Sequence, residues 1–549
     1  MRVIYQNREA VVPENATAGE ALAALGALTP EVLAAMAGGR ALDLSEPLPS
    51  DGPVSPLTLA DEEGQRIYER SLRFVLLMAL KSLCPGRRVR IEHSIPGGVL
   101  VRLPGFSVTE DFLARLKGEM QRLVTADLPF TRKRWSREEA IRYFEEDGQP
   151  DKVALLRTRP YTWFNMYSCG GMWEYFYGAM APSTGAIPVF DLHRKDGECF
   201  ALLMPSDGDW TRPTAYRDQP KHYGIYAQSA HWCAILGVNN LADLTRLRDE
   251  HGFREFIRVN ELLHDLAMGE IAKAVVEGGK RVVLVAGPSS SGKTTFAGRM
   301  AVHLRVWGRR AWRLSLDDYY LDRDAIAPGP DGTIDLEHLN TLDLPRLQSD
   351  INRLLAGEEV EIPRFSFVTG KREPKGQPLR LEKDELVIIE GIHALNPLLS
   401  EGVPEHVIHR IFVSALTCLN MDDHNRIRTT DVRLLRRIVR DNRFRGTPPE
   451  KTLAMWPSVR RGEETWIFPC QERADSVFNT TLHYELPILR RYAYDLLHTV
   501  APEEEGFLMA QRLIKMLHYV PDAGEEILRE IPPLSLLREF IGGCTIDED

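Results

Sequence analysis

Eight consecutive residues carry the clearest chemistry: Gly287, Pro288, Ser289, Ser290, Ser291, Gly292, Lys293 and Thr294. A glycine, four residues and then Gly-Lys-Thr is the pattern of a loop that cradles phosphates. The glycines let the backbone wrap closely, so its N–H groups can point at phosphate oxygens. Lys293 adds a flexible positive charge for the terminal phosphates, and the Thr294 hydroxyl can ligate Mg²⁺. Thr295 completes the candidate ATP contacts. Two acids follow at useful places. Asp317 stands where the strand candidate 311–316 ends, just before Asp318, Tyr319 and Tyr320. A carboxylate there can take the proton of an attacking hydroxyl, or hold Mg²⁺ through water. Asp318 reads as a solvated turn acid. Glu390 closes the apolar run 386–389, a placement suited to Mg²⁺ or its water shell. Further on, Arg433, Arg436, Arg437 and Arg440 share an overlapping face of a predicted helix. Alone, such a face is solvated or meets an acidic partner. Opposite a triphosphate it makes a lid, because guanidinium forks fit phosphate oxygens. Arg443 and Arg445 belong to the same segment.

The elements needed to hold these groups are legible. Val282–Ala286 is an apolar run of strand length before the loop. Phe296, Met300, Leu304 and Trp307 recur at helical spacing after it, and Gly308 is a stop. The helix N-terminus adds its partial positive charge at the loop.

At 549 residues the chain calls for three or four domains. A hydrophobic fraction of 44% with 27% charged residues is that of a soluble globular protein. A formal net charge of -10 weighs against bulk electrostatic binding of nucleic acid, leaving room for a local basic face. The seven cysteines show no metal-ligand spacing and point to a reducing compartment. The N-terminus lacks a signal-peptide pattern, and the apolar run near 74–80 is too short to span a bilayer. A cytoplasmic protein without membrane contact is expected, with self-association open.

Residues 1–62 read as a small unit: a strand at Val3-Ile4-Tyr5, a helix capped by Thr17, another strand at Leu42-Asp43-Leu44, and a turn-rich exit over 47–56. This resembles the β-grasp TGS domain found at the front of threonyl-tRNA synthetases. Residues 63–240 resemble the second additional (editing) domain of the same synthetases. That likeness is carried by the helix through Tyr68-Glu69-Arg70-Ser71-Leu72-Arg73-Phe74 and by Ala181-Pro182-Ser183-Thr184-Gly185 after Gly178. Here Arg70 and Arg73 stand where that family has two histidines, and Phe176 and Met180 where it has a cysteine and a histidine. None of the four can act as ligand or base in that chemistry, so neither editing hydrolysis nor a metal is expected. Arg70 and Arg73 read equally as anion contacts or as a solvated helix face. The aromatics around Trp163 and Tyr175, and the thiols of Cys169 and Cys199, read as core. Residues 241–278 form a helical connector.

Residues 279–500 resemble the uridine kinase branch of the P-loop kinases, which includes phosphoribulokinase. The matching pieces are the serine-rich loop, Leu314-Ser315-Leu316-Asp317-Asp318-Tyr319-Tyr320, Pro363-Arg364-Phe365, Glu390-Gly391-Ile392, and Asp431-Val432-Arg433-Leu434 with Arg436-Arg437. The resemblance implies an α/β fold with a mainly parallel sheet and flanking helices, behind the β-grasp and α+β front domains. It implies ATP and Mg²⁺ as cofactors, with Lys293, Asp317 and Arg436 in catalytic roles. Asp317 would be the general base for a nucleoside 5′-hydroxyl, with Tyr320 and Asp335 near the sugar. Thr294 and Glu390 would serve Mg²⁺, while Arg433, Arg436 and Arg440 close on phosphates. Phe365 and Arg372 bracket the base-recognition segment, where Phe365 replaces the family's tyrosine and Gly370 its histidine. The hydrogen bonds that read a pyrimidine are thereby lost. A kinase for another sugar or polyol is one alternative, and a nucleotide-dependent RNA-associated module is another. Residues 501–549 form a helical extension, expected to pack back onto the kinase core.

Overall fold

Val282–Ala286 is buried along its whole length, as a wholly apolar run should be when both faces of its sheet are covered. In this computed structural model it is the central strand of a five-stranded parallel sheet. The order is Ala311–Ser315, Leu386–Glu390, Val282–Ala286, Ile408–Ser414, Ser476–Asn479. Alternate side chains of the central strand enter two different cores. Val283 and Val285 meet Phe296, Met300 and Leu304 of the helix Lys293–Val306. Val282, Leu284 and Ala286 meet Leu347, Ile351 and Leu354 of the helix Leu344–Leu355 on the other face. Helices on both faces of a parallel sheet make the kinase-like half an α/β layer structure. The structure describes residues 1–326, 337–366 and 369–546.

The front begins with a five-stranded sheet over which the helix Ala18–Ala24 packs. Thr17 caps that helix reciprocally with Glu20: the Thr17 N–H donates to Oε2 at 2.8 Å and the Glu20 N–H to Oγ1 at 3.2 Å. The stretch read as a turn-rich exit contains a strand, Gly52–Leu57, which runs parallel to Arg2–Tyr5 and antiparallel to Ala34–Ala37. Pairing on both sides outweighs the local preferences of Pro53 and Pro56. The expected strand at 42–44 ends at Leu42, and the Asp43 carboxylate instead accepts from Tyr167 Oη and the Met180 N–H.

A helix over Glu62–Leu83 follows, flanked by a four-stranded and a three-stranded antiparallel sheet. The helices Pro220–Leu236, Leu241–Asp249 and Phe253–Glu277 lead to the phosphate-loop strand. The C-terminal stretch returns to the kinase-like half, where Leu536, Leu537, Phe540 and Ile541 are buried in the core that holds Phe296. Among the described residues no helix is long and apolar enough to cross a membrane.

Candidate active site

Three strand ends meet at the carboxyl edge of the parallel sheet. Val285 and Ser315 both pair with Glu390, so the loop, the Asp317 turn and the Glu390 carboxylate start from one register. Ligands of open parallel sheets bind at this edge. The loop leaves its strand at Gly287, which lies against the Val413 carbonyl with no room for a Cβ. Ser290 takes φ 57° and Gly292 φ 86°, a left-handed pair that turns the chain into the helix. The hydroxyls of Ser290 and Ser291 are buried with no hydrogen-bond partner among the described residues.

The charged groups around the loop perturb one another. Lys293 Nζ donates to the Pro288 carbonyl at 3.2 Å. Burial pushes its pKa down, against the pull of Glu390, Glu539 and Asp317. Thr294 Oγ1 and Ser315 Oγ each donate to Glu390 Oε1 at 3.3 Å. Burial, opposed by Lys293 and reinforced by the negative charges of Asp317 and Glu539, raises the Glu390 carboxyl to about 7. Asp317 reaches water yet sits in a recess; desolvation raises its pKa, Lys293 opposes this and Asp318 adds to it. Thr294 and Glu390 thus offer hard oxygen donors beside excess negative charge, which fits Mg²⁺ shared with substrate phosphates.

The arginines sit elsewhere than a solvent-facing lid. Arg433 and Arg436 are 1% and 0% exposed. Arg433 Nε donates to the Ser289 carbonyl at 2.9 Å, and its guanidinium pairs with Glu463. Arg436 Nε donates to Glu485 at 2.7 Å, while its Nη groups reach the Thr480 carbonyl at 2.8 Å and the Ser290 carbonyl at 3.5 Å. Both therefore reach the loop's carbonyls, while Glu463, Glu485 and Thr480 take up further donors of theirs. Arg437 Nη1 donates to Ser289 Oγ at 2.9 Å. Arg440 pairs with Asp441 at 3.1 Å and approaches Glu539 at 3.8 Å.

Two loop N–H groups already have carboxylate partners that motif reading missed. The Ser289 N–H donates to Glu463 Oε1 at 3.0 Å, and the Thr295 N–H to Glu539 Oε2 at 3.3 Å. Glu539 comes from the short C-terminal helix Arg538–Ile541, whose Phe540 ring lies 5.0 Å from the Arg436 guanidinium.

On the acceptor side, Tyr320 and Phe365 come together with ring centroids 5.7 Å apart. The Phe365 N–H donates to Asp318 Oδ1 at 3.2 Å, so Asp318 ties the turn to the Phe365 strand. Arg372 donates to the Tyr319 carbonyl at 3.1 Å, the Tyr320 carbonyl at 3.0 Å and Asp343 at 2.9 Å. It braces the Asp317–Tyr320 turn. Gly370 has φ 69°, and a Cβ there would lie 2.6 Å from Arg323 Cδ. Asp335 lies outside the described residues.

In the front half, Phe164, Tyr167 and Tyr175 are buried, whereas Trp163 is half exposed. Burial raises the Cys169 and Cys199 thiols to about 12, which leaves no thiolate near neutral pH.

Known proteins resemble the two halves separately. The N-terminal half matches threonine–tRNA ligases. That of Carboxydothermus hydrogenoformans is 33% identical over 183 residues, 33% of this chain and 29% of the ligase. That of Symbiobacterium thermophilum is 33% identical over 221 residues, 40% of this chain and 32% of the ligase. The chain thus spans about a third of the length of these curated relatives. Among solved structures, a possible uridine kinase from Bacillus stearothermophilus overlaps 39% of this chain and 97% of its own, at 17% identity and a TM-score of 0.28. D-glycerate 3-kinase from Cryptococcus neoformans overlaps 48% of this chain and 89% of its own, at 16% identity and a TM-score of 0.22. Residues 282–485, which contain the loop, Asp317, Glu390 and the buried arginines, match the Phosphoribulokinase / Uridine kinase family.

Proposed function

We propose that the protein is an ATP- and Mg²⁺-dependent kinase that phosphorylates a hydroxyl of a small molecule, with the 5′-hydroxyl of a nucleoside as the leading acceptor. The observation that carries this reading is the meeting of Lys293, Thr294, Glu390 and Asp317 at one sheet edge, on a loop of phosphate-binding sequence. The loop N–H groups and Lys293 would hold the phosphates of ATP. Thr294 and Glu390 would hold Mg²⁺, which neutralises charge on the transferred phosphoryl group. Asp317 would accept the proton of the attacking hydroxyl; its raised pKa makes the carboxylate a better base near neutral pH. Arg433, Arg436 and Arg437 would support the reaction indirectly by fixing the loop.

The nucleoside assignment rests on Tyr320 and Phe365, whose rings could flank a sugar or base. A sugar or polyol acceptor is the second reading. It is favoured by Gly370, where crowding against Arg323 leaves no side chain to read a base. The test is ATP turnover with Mg²⁺ across nucleosides, sugars and polyols, with Asp317→Asn alongside. General-base loss lowers turnover by about 10²–10⁴-fold. Turnover that survives Asp317→Asn would remove this residue from its role. Silence across the panel while ATP still binds would reject the kinase reading.

A further inference from the structure

The junction of the front half with the kinase-like half holds more buried positive charge than its carboxylates balance. Arg66, Arg70 and Arg73 occupy one face of the helix Glu62–Leu83 at i, i+4 and i+7, and are 6%, 8% and 7% exposed. Arg426 and Arg428 reach the same place from the start of the helix Thr429–Arg445. Arg512 and Lys515 come from the C-terminal helix Phe507–Leu517.

The acids are few. Glu69 alone serves Arg428 at 2.8 Å, Arg426 at 3.5 Å and Arg73 at 3.7 Å. Glu63 lies 3.8 Å from both Arg66 and Arg70, and Asp431 pairs with Arg512 at 2.8 Å. The exposed Glu62 pairs with Arg66 at the rim. Lys515 makes no ion pair among the described residues. Its side chain reaches water yet sits in a recess, where desolvation, then the charges of Arg70, Arg159 and Arg132, bring its amine down to about 8.

The hydrogen-bond inventory shows the same deficit. Arg66 Nε and Nη1, Arg73 Nε, Arg426 Nε and Arg512 Nε are buried without a hydrogen-bond partner among the described residues. Arg159, whose neighbour is Lys515, adds two more such nitrogens. A buried guanidinium N–H without an acceptor is costly, and several at one junction call for an oxyanion. Guanidinium forks match a tetrahedral oxyanion, and the shortage of carboxylates selects a ligand with more than one negative charge. The near-complete burial of Arg66, Arg70 and Arg73 favours a small ligand over a nucleic acid backbone.

We propose that this junction binds a phosphate group, free or carried by a small phosphomonoester, between Arg66, Arg70 and Arg73 on the front helix and Lys515 on the C-terminal helix. The site is separate from the phosphate loop and does not depend on the kinase reading.

The test uses the full chain with Lys293→Met, which weakens phosphate binding at the loop. Inorganic phosphate and, separately, adenosine monophosphate are titrated calorimetrically into this protein. The expected result is one saturable site, with the better probe distinguishing a free anion from a phosphomonoester. Adding Lys515→Gln, at an exposed position whose change leaves the core intact, should weaken binding about tenfold, the effect of one charge-assisted contact. Arg73→Gln should weaken it as much, with circular dichroism reporting whether that variant folds. Absence of saturable binding with both probes would overturn the proposal. So would binding that Lys515→Gln leaves unchanged.

Discussion

Replacing Glu539 by glutamine should tighten ATP binding. Its carboxylate accepts the Thr295 N–H at 3.3 Å, on the loop helix where a nucleotide's phosphates would lie. ATP must displace this carboxylate or tolerate its charge. A hydrogen bond to a charged group contributes about 1.5–3 kcal/mol. Two unit charges about 5 Å apart repel by roughly 3 kcal/mol at an effective dielectric of about 20. These are two views of the same competition and should not be added. Arg440, 3.8 Å from Glu539, offsets part of the charge, and the side chain keeps 16% exposure, so the lower end applies. About 1.5 kcal/mol is roughly tenfold in affinity. The assay is equilibrium titration of a fluorescent ATP analogue into wild type and Glu539→Gln at one salt concentration. Unchanged affinity would show that the carboxylate does not compete. A loss of affinity would refute the reasoning more sharply, because it would make Glu539 a contributor to the nucleotide site.

Three other perturbations have worked directions. Arg436→Met leaves Glu485 buried without the partner it now has at 2.6 Å, so stability in urea unfolding should fall by about 3–5 kcal/mol, with recovery in Arg436→Met/Glu485→Leu. The Glu390 carboxyl is raised by folding to about 7, so the ligand-free protein should lose stability as pH rises from about 4.5 through about 7. That loss should be about 1–3 kcal/mol, and Glu390→Gln should flatten it in thermal unfolding scans across pH. Gly370→Ala should cost about 1–2 kcal/mol, from φ 69° and from contact with Arg323, as read by the shift in Tm.

Sequence reading reached the groups whose chemistry is written in neighbouring residues. The loop, its strand and helix, the Asp317 turn and the Glu390 strand end each need only a short window. Burial supplied by distant partners lay beyond such windows. The arginine periodicity at 433–440 is real, but only Glu463 and Glu485, 30 and 49 residues further on, make burial of Arg433 and Arg436 tolerable. The Glu539 contact spans 244 residues and leaves no local signature. The strand Ile408–Ser414 also escaped, because His409 and Arg410 interrupt its apolar run. His409 finds Ser476 at 2.9 Å, and Arg410 pairs with Glu405 at 2.7 Å. Backbone pairing with Val282–Ala286 on one side and Ser476–Asn479 on the other makes the segment an inner strand.

The same argument explains why the front half is more than a tethered appendage. After Ile408–Ser414 the chain forms a small hairpin, Asn420–Asp422 with Asn425–Arg426, that enters the front half. Asp422 there meets Lys152 at 3.1 Å, and Lys152 meets Glu174 at 2.9 Å, all three essentially without exposure. Asp423 pairs with Arg88 at 2.6 Å, and the His424 carbonyl accepts from Arg73 at 2.9 Å. A lysine in that position would be strongly destabilising without both acids, so the interface tolerates only one alignment of the halves. Three residues beyond the hairpin begins the helix whose Arg433 and Arg436 reach the phosphate-loop carbonyls of Ser289 and Ser290. Packed and hydrogen-bonded contacts therefore run without a break from the front helix, through the hairpin, to the loop. Loss of the Lys152 cluster would alter the footing of that helix as well as the join between the halves.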